Sequence, residues 1–212
     1  MLMKYKIGYV DEDPIQVKKY QRLLEKDFDV LGYEIPKGLS KKKLLEQIYD
    51  SDIDLLLVDY LMTERGQLTY NGDVIAREFE KMKPYFPVLI FTSHSEDAFP
   101  AVDNPNTLYE KGNAKKMEHF MEVLKKNIEA YRTFVSKKKR NIDTLISKSK
   151  TKKLSVKETE TLFNEQIGLQ MLDKKNGEAP FQLLHPENIK ALSKTADQAE
   201  AFIKSLTKKK KK

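Results

Sequence analysis

Through residues 4–112, apolar runs of strand length alternate with segments whose apolar residues recur at helical spacing. The strand candidates are Lys4–Val10, Phe28–Ile35, Ile53–Val58, Pro87–Phe91 and Thr107–Tyr109. Between them, Pro14 suits the first turn of a helix, Ser40 is a candidate N-cap, and 71–82 has helical periodicity. Because strands that alternate with helices form parallel sheets with right-handed connections, the sequence predicts an α/β fold.

The second half of the chain has a different pattern. From Asn113 to about Lys150 there is no Pro or Gly, and a stripe of apolar residues recurs in steps of four and three, with a polar break at Lys138. This pattern predicts one long helix. Two arrangements of that helix remain open. It could leave the α/β domain and pair with a second chain, or its first third could pack on the sheet while the rest folds back on the following helices.

A capping-box pattern, Ser155-Val-Lys-Glu158, predicts another helix that carries Leu162, Phe163, Ile167 and Met171. Asn176-Gly177 is expected to end it. Short helical stretches are predicted after His185-Pro-Glu-Asn and after Ser193-Lys-Thr-Ala, ending near Leu206.

Charge divides the chain in the same way. Residues 1–112 carry 15 basic and 20 acidic residues, whereas residues 113–212 carry 24 and 12, which gives the whole chain a net charge of +7. A basic half of this kind can attract nucleic acid, acidic protein or anionic lipid. Five lysines, Lys208–Lys212, contribute to this charge as a terminal tail.

The composition excludes several classes of protein. The chain has no cysteine, which excludes disulfide scaffolds, thiolate-bound metal and a thiol nucleophile. Its longest apolar runs are too short to span a bilayer, and the start of the sequence lacks a signal-peptide pattern. We therefore expect a cytoplasmic protein without a membrane partner.

Polar side chains follow four of the predicted strands. Ligands bind at the carboxyl ends of the strands in a parallel α/β sheet, so the residues there are expected to converge. They are Asp11, Glu12 and Asp13 after the first strand, Asp59 after the third, Thr92 after the fourth and Lys111 after the fifth. Clustered carboxylates repel one another and favour a hard cation such as Mg²⁺. A cation and a lysine beside a carboxylate suit phosphoryl transfer, in which the carboxylate can be the nucleophile.

Four segments at these positions resemble the receiver domain of two-component response regulators. They are Val10-Asp-Glu-Asp-Pro14, Leu57-Val-Asp-Tyr-Leu-Met62, Ile90-Phe-Thr-Ser93 and Tyr109-Glu-Lys111, and the resemblance extends over about residues 3–130. It implies a flavodoxin-like, doubly wound five-stranded sheet. It also implies a phosphoacceptor that takes its phosphoryl group from a histidine kinase or a phosphotransfer protein, and that at most dephosphorylates itself slowly.

The resemblance implies a role for each site residue. Asp59 is similar to the family's phosphoacceptor, and Thr92 and Lys111 to the switch hydroxyl and the lysine that pairs with the phosphoryl group. Asp11 and Glu12 are similar to the acidic pair that holds Mg²⁺, with Asp59 and the backbone carbonyl of Leu61 as further ligands. Asp13 is expected to act only as an acid in the first turn of a helix.

The sequence also departs from the family. Gly112 follows the lysine where proline is usual, and Leu108 stands where an aromatic switch residue is common, while Tyr109 should point to the opposite face of the strand. The segment Thr63–Asn71 is an enlarged loop. Pro100 and Pro105 leave little room for a regular fourth helix, so the family's usual output face is altered.

These observations predict a receiver over residues 1–130 whose fifth helix starts near 113. A helical extension or coiled coil would follow at 131–150, an output or docking segment at 151–207, and the lysine tail at 208–212. The first hypothesis is a phosphorylated switch that signals through homodimerisation at residues 113–150 or through an unknown protein partner. The alternatives are a phosphate sink or relay, a pseudo-receiver and, less favoured, a DNA-binding regulator, since no helix-turn-helix pattern is present.

Overall fold

The computed structural model describes residues 4–112 and 114–173, without the side chains of residues 114–116. The chain divides into two units, one up to Lys137 and one from Lys138 onward. The domain boundaries predicted from the sequence stay predictions. The breaks and helices predicted after residue 173, including the lysine tail, lie outside the described residues.

The first unit contains a parallel sheet of five strands. Their bounds are Tyr5–Val10 (β1), Phe28–Gly32 (β2), Leu55–Val58 (β3), Val88–Thr92 (β4) and Leu108–Glu110 (β5). The strands are ordered β2-β1-β3-β4-β5, which is the flavodoxin-like order. This confirms the predicted α/β fold.

The first three helices that connect the strands lie where the sequence predicts them: Pro14–Leu24 (α1), Lys41–Asp50 (α2) and Gly72–Met82 (α3). A short helix at Ser95–Ala98 (α4), which the sequence did not predict, follows β4, and the predicted long helix, Ala114–Thr151 (α5), follows β5. The side chain of Ser40 accepts a hydrogen bond from the Lys43 N–H and so caps α2. Asp13 does the same for α1 by accepting the Ile15 N–H. Asp13 is therefore an N-cap, a more specific role than the predicted acid of the first turn.

Two apolar clusters cover the two faces of this sheet. One face packs against α2 and α3 and includes Leu44, Ile48, Ile75 and Phe79. The other packs against α1 and the first part of α5 and includes Tyr20, Met117, Phe120, Leu124 and Ile128. Because helices cover both faces, the strands can be apolar throughout, as the runs in β3 and β4 indicate.

The second strand is shorter than its apolar pattern predicts. Tyr33 and Ile35 are buried, but β2 ends at Gly32, which pairs with Tyr9 of the neighbouring strand β1. β1 ends at Val10, so it offers few further pairing positions to β2. The side chains beyond Gly32 therefore pack into the core without belonging to a strand.

The segment between β4 and β5 contains little helix. α4 has four residues, and two 3₁₀ turns follow at Phe99–Ala101 and Pro105–Thr107. Pro100 and Pro105 stand in the first turns of these 3₁₀ elements, where proline is tolerated but from which it prevents a longer helix. The structure confirms the expectation that this chain lacks a regular fourth helix.

The second unit, within its described residues, contains the end of α5 and a helix at Val156–Met171 (α6). Ser155 and Glu158 form the predicted capping box at the start of α6. Lys138 Nζ lies 2.8 Å from Glu165 Oε2, and Lys148 also pairs with Glu158. These contacts agree with the second of the two predicted arrangements, in which the last part of the long helix folds back on the helix that follows it. A homodimer through residues 113–150 stays a prediction.

No helix in the described part of the chain combines the length and apolar character needed to cross a membrane.

Candidate functional site

Strand register brings the predicted site residues together at the carboxyl edge of the sheet. Val10 pairs with Val58, so the residues that follow them, Asp11 and Asp59, lie side by side, and the Asp59 N–H donates to the Val10 carbonyl at 2.8 Å. On the other side of the site, the Lys111 N–H donates to the Thr92 carbonyl, also at 2.8 Å. All five acidic, hydroxyl and lysine positions therefore meet at one edge, as the parallel topology requires.

Lys111 joins two carboxylates. Its Nζ lies 2.8 Å from Asp11 Oδ2 and 3.1 Å from Asp59 Oδ1, and only 6% of its side chain is exposed. The ammonium also lies over the ring of Tyr9, 5.7 Å from the centroid. The lysine reaches the site although the residue that follows it is Gly112. Because the ammonium and both carboxylates are buried, they attract one another more strongly than they would in water.

Asp11 is held by three donors. The Tyr9 hydroxyl donates to Oδ2 at 2.5 Å, Lys111 donates to the same oxygen, and the Asp13 N–H donates to Oδ1 at 2.8 Å. Burial, together with the charge of Asp11, raises the pKa of Tyr9 far above its ordinary value, so its hydroxyl stays protonated and can donate. Tyr9 was not among the predicted site residues. Its position could have been inferred from the sequence, because Tyr9 lies two residues before Asp11 and residues two apart in extended chain point to the same face.

Glu12 contacts the enlarged loop. Its Oε1 accepts the N–H of Arg65 at 2.9 Å, and the Arg65 guanidinium lies 2.8 Å from Asp13 Oδ1. Arg65 was not among the predicted site residues either, since it lies 53 residues from Glu12 and within no motif. The loop is therefore joined to the turn between β1 and α1 at two points.

Two buried carboxylate oxygens have no hydrogen bond to any described residue: Glu12 Oε2 and Asp59 Oδ1. Asp59 Oδ1 lies near Lys111 Nζ, but without the alignment of a hydrogen bond. Such oxygens are costly to bury alone, and they are the ligand type that Mg²⁺ prefers. The donor set thus fits a hard divalent cation. Within residues 4–112 and 114–173, no three acidic or histidine side chains are already arranged as a metal cluster.

The ionisation of Asp59 reflects opposing influences. Burial raises the pKa of Asp59 above its ordinary value, and the charge of Asp11 raises it further, whereas Lys111 and the Thr92 hydroxyl lower it. Thr92 is fully buried, and its Oγ1 accepts the N–H of His94 at 3.2 Å. Asp59 as a nucleophile requires the ionised carboxylate, which the adjacent ammonium favours.

The backbone around Asp59 is tightly packed. A Cβ at Gly72, the first residue of α3, would lie 1.9 Å from the Asp59 carbonyl oxygen and 2.6 Å from Val58 Cγ1. The Gly72 N–H donates to the Tyr60 carbonyl at 2.8 Å. Only glycine allows the start of α3 to approach this closely. Leu61 follows Tyr60 in the sequence, and the role of its carbonyl as a metal ligand stays a prediction.

Leu108 and Tyr109 of β5 point to opposite faces of the sheet, as the strand pattern predicts. Leu108 packs in the cluster beside α2 and α3, and Tyr109 packs on the opposite face, where its ring centroid lies 5.4 Å from that of Phe120. Next to the site, Phe91 stacks on Phe120 of α5 with ring centroids 4.5 Å apart. A chain of contacts therefore runs from the residue beside Thr92 into α5.

No protein-family model and no curated protein matches the sequence. Solved structures similar to it include a response regulator receiver domain protein from Clostridium thermocellum, which is 21% identical, with 61% of this chain and 98% of that chain covered and a TM-score of 0.48. A receiver protein from Sinorhizobium medicae WSM419 is 17% identical, with 61% and 98% covered and a TM-score of 0.47. A response regulator from Thermotoga maritima, in complex with Mg²⁺-BeF, is 20% identical, with 57% and 99% covered and a TM-score of 0.44. Each of these three solved structures is a response regulator or receiver protein, and each is only distantly similar to this chain.

Proposed function

We propose that this chain is a response-regulator receiver protein that accepts a phosphoryl group on Asp59 in a Mg²⁺-dependent reaction. One observation carries the proposal: three buried carboxylates lie together at the carboxyl edge of the sheet, and a buried lysine pairs with two of them, Asp11 and Asp59. Two carboxylate oxygens there, one of Glu12 and one of Asp59, have no hydrogen bond to any described residue. A purely structural cluster would be expected to satisfy these oxygens. The sequence motifs at the same positions support the same function.

In the proposed reaction, an Asp59 carboxylate oxygen attacks the phosphorus atom of a phosphorylated histidine on a kinase or phosphotransfer protein. An acyl phosphate bond forms, and the bond from phosphorus to the histidine nitrogen breaks. The nitrogen keeps the electron pair of that bond, and the ring takes up one proton, so that it leaves as neutral imidazole. The chain's own contribution is to place Lys111 and Thr92 beside Asp59 and to stabilise the transferred charge.

Asp11, Glu12, Asp59 and the carbonyl of Leu61 would hold the Mg²⁺ ion, which when bound neutralises charge on the phosphoryl oxygens. Lys111 is already between Asp11 and Asp59, so a small rotation of its side chain would let the ammonium pair with a phosphoryl oxygen. The Thr92 hydroxyl would donate to another oxygen. Both groups are buried, which makes their interactions with the added charge stronger than in water.

Phosphorylation would add a charge of about −1.5 to −2 beside Thr92 and Lys111. The neighbouring Phe91 stacks on Phe120, and Phe120 belongs to the helix that begins at Ala114. A shift at the site would therefore reach α5, the proposed transmitter to a docking partner or to a second copy. A phosphate sink or relay is the second candidate, because the four-residue α4 departs from the family's usual output face.

The test is intact-mass spectrometry after incubation with acetyl phosphate, with and without Mg²⁺. The wild type should gain the mass of one phosphoryl group only with Mg²⁺, and Asp59→Asn should gain none. Asp29→Asn is a matched control, because Asp29 is exposed on β2 at the far edge of the sheet. Labelling that persists in Asp59→Asn would refute the assignment. No labelling of the wild type from acetyl phosphate or from a phosphorylated histidine protein would refute the proposed function.

A second measurement separates a switch from a sink. In a switch, phosphorylation should change hydrogen exchange in α5 or the oligomeric state of the chain. In a sink, both should stay unchanged, and the phosphoryl group should return to a phosphotransfer histidine.

A further inference from the structure

We propose that Arg65 is a positioning residue that anchors the enlarged loop to the acidic turn and so orients Glu12 toward the bound cation. The inference rests on the proposed function, since the cation is the one that phosphoryl transfer requires. It concerns the segment 63–71, which is this chain's own departure from the receiver pattern.

The backbone of Arg65 fixes one oxygen of Glu12. Its N–H donates to Oε1 at 2.9 Å, while Oε2 is buried and without a hydrogen bond among the described residues. Glu12 is 5% exposed. The carboxylate is thus held by one oxygen and offers the other. In metal sites, carboxylate ligands are commonly oriented by outer hydrogen bonds of this kind.

The side chain of Arg65 fixes the position of its own N–H. The guanidinium pairs with Asp13 Oδ1 at 2.8 Å, and the same oxygen caps α1 by accepting the Ile15 N–H at 2.9 Å. Asp13 cannot move without uncapping the helix, so it is a rigid anchor for the loop.

The loop conformation places the Arg65 N–H where it can donate. The Gly66 N–H donates to the Thr63 carbonyl at 3.2 Å, and Gly66 has a φ of +64°, which glycine adopts without strain. Met62, which precedes the loop, and Leu68, which lies within it, are buried. The turn at Thr63–Gly66 is therefore packed at its base, and Arg65 fixes its tip.

The effect of Arg65→Ala on Mg²⁺ affinity should have one sign if Arg65 positions Glu12 and the opposite sign if Arg65 acts only through its positive charge. Removing a positive charge near a cation site should by itself tighten Mg²⁺ binding. Losing the anchor should weaken it, by about tenfold, the lower end of what an outer-shell partner contributes to metal affinity. Stability should hardly change, because the Arg65 side chain is 44% exposed and surface ion pairs contribute little.

The experiment measures Mg²⁺ affinity by titration calorimetry and amide hydrogen exchange of residues 60–71, both on the full chain. Arg65→Ala should weaken Mg²⁺ binding and speed exchange of the amide at position 65. Arg65→Lys should restore part of both. The matched control is Arg77→Ala, which removes a similarly exposed arginine whose ion pairs are with Asp73 and Asp103.

A second variant tests the anchor from the other side. Asp13→Asn keeps a good N-cap but loses the charge that holds the guanidinium. It should reproduce the effect of Arg65→Ala, and the double variant should be no worse than either single one, because both remove the same interaction.

The outcomes are distinguishable. Unchanged affinity and exchange in Arg65→Ala would overturn the inference, as would tighter Mg²⁺ binding, and neither would affect phosphorylation of Asp59 as a function. If the wild type binds no Mg²⁺, the proposed function fails in its metal dependence. In that case, exchange at position 65 still decides the anchor: faster exchange in Arg65→Ala supports it, and equal exchange overturns it.

Discussion

The contact between Gly72 and Asp59 predicts that Gly72→Ala disrupts the site from a position that carries no chemistry. The added Cβ would lie 1.9 Å from the Asp59 carbonyl oxygen, whereas Cβ atoms in proteins essentially never approach within 3.0 Å of another heavy atom. The obstacle is backbone, which cannot rotate away as a side chain can. The start of α3 must therefore shift by about 1 Å or more, given the deficit between these two distances.

The energetic cost follows from that shift. Overpacking of a well-packed region costs about 1–3 kcal/mol, and the second short contact, with Val58 Cγ1 at 2.6 Å, favours the upper part of that range. Replacing glycine by alanine in a helix returns up to about 1 kcal/mol. We therefore expect a net loss of about 1–2 kcal/mol in the free energy of unfolding, together with a lower yield of the phosphoryl adduct because Asp59 is displaced.

The assay is urea denaturation followed by tyrosine fluorescence. All ten tyrosines lie between Tyr5 and Tyr131 and the chain has no tryptophan, so this signal reports the first unit. Gly168→Ala is the matched control. Its Cβ would lie 3.0 Å from Lys138 Nζ, the flexible end of a side chain in the second unit, so the tyrosine-monitored transition should not move. A Gly72→Ala protein as stable as the wild type would refute the reasoning.

Two further predictions concern individual side chains. Tyr9→Phe removes a donor to the buried carboxylate of Asp11 and should cost about 1.5–3 kcal/mol in urea denaturation, whereas Tyr33→Phe removes a bond to the neutral Ser51 hydroxyl and should cost about 0.5–1.5 kcal/mol; equal costs would contradict the charge-assisted role of Tyr9. The hydrogen bond with Lys148 and the capping box lower the pKa of Glu158 to about 2, so its contribution to α6 should be complete above its unfolded pKa of about 4.5 and be lost as the pH falls through about 2. Circular dichroism should show this loss of helix in the wild type and not in Glu158→Gln.

Most of the fold could be predicted because its signals are local. Apolar runs and helical periodicity, together with caps at Ser40 and Ser155, each act within a few residues. The predicted length of the second strand was wrong, because some buried apolar residues there do not pair with a neighbouring strand. Ile35 is apolar and buried, but β2 ends at Gly32, and the sequence pattern records burial rather than the length of the neighbouring strand.

The long helix shows the same limit. Its heptad stripe has the same pattern whether the partner is another chain or the next helix of the same chain. In the described part of the second unit, Lys138 and Asn141 both contact Glu165 of α6. That choice depends on the loop between the helices and on competing surfaces, neither of which has a periodic signature.

By itself, the sequence determined which residues stand at the carboxyl edge. In a parallel sheet, the residue after each strand must lie at that edge, so the positions of Asp59 and Lys111 follow from where apolar runs end. Only the tertiary structure decided which donor holds which oxygen. Tyr9 reaches Asp11 and Arg65 reaches Glu12 because of distances of a few ångström between separate elements. Hydrogen bonds depend on such distances, and a linear pattern of residue types does not contain them.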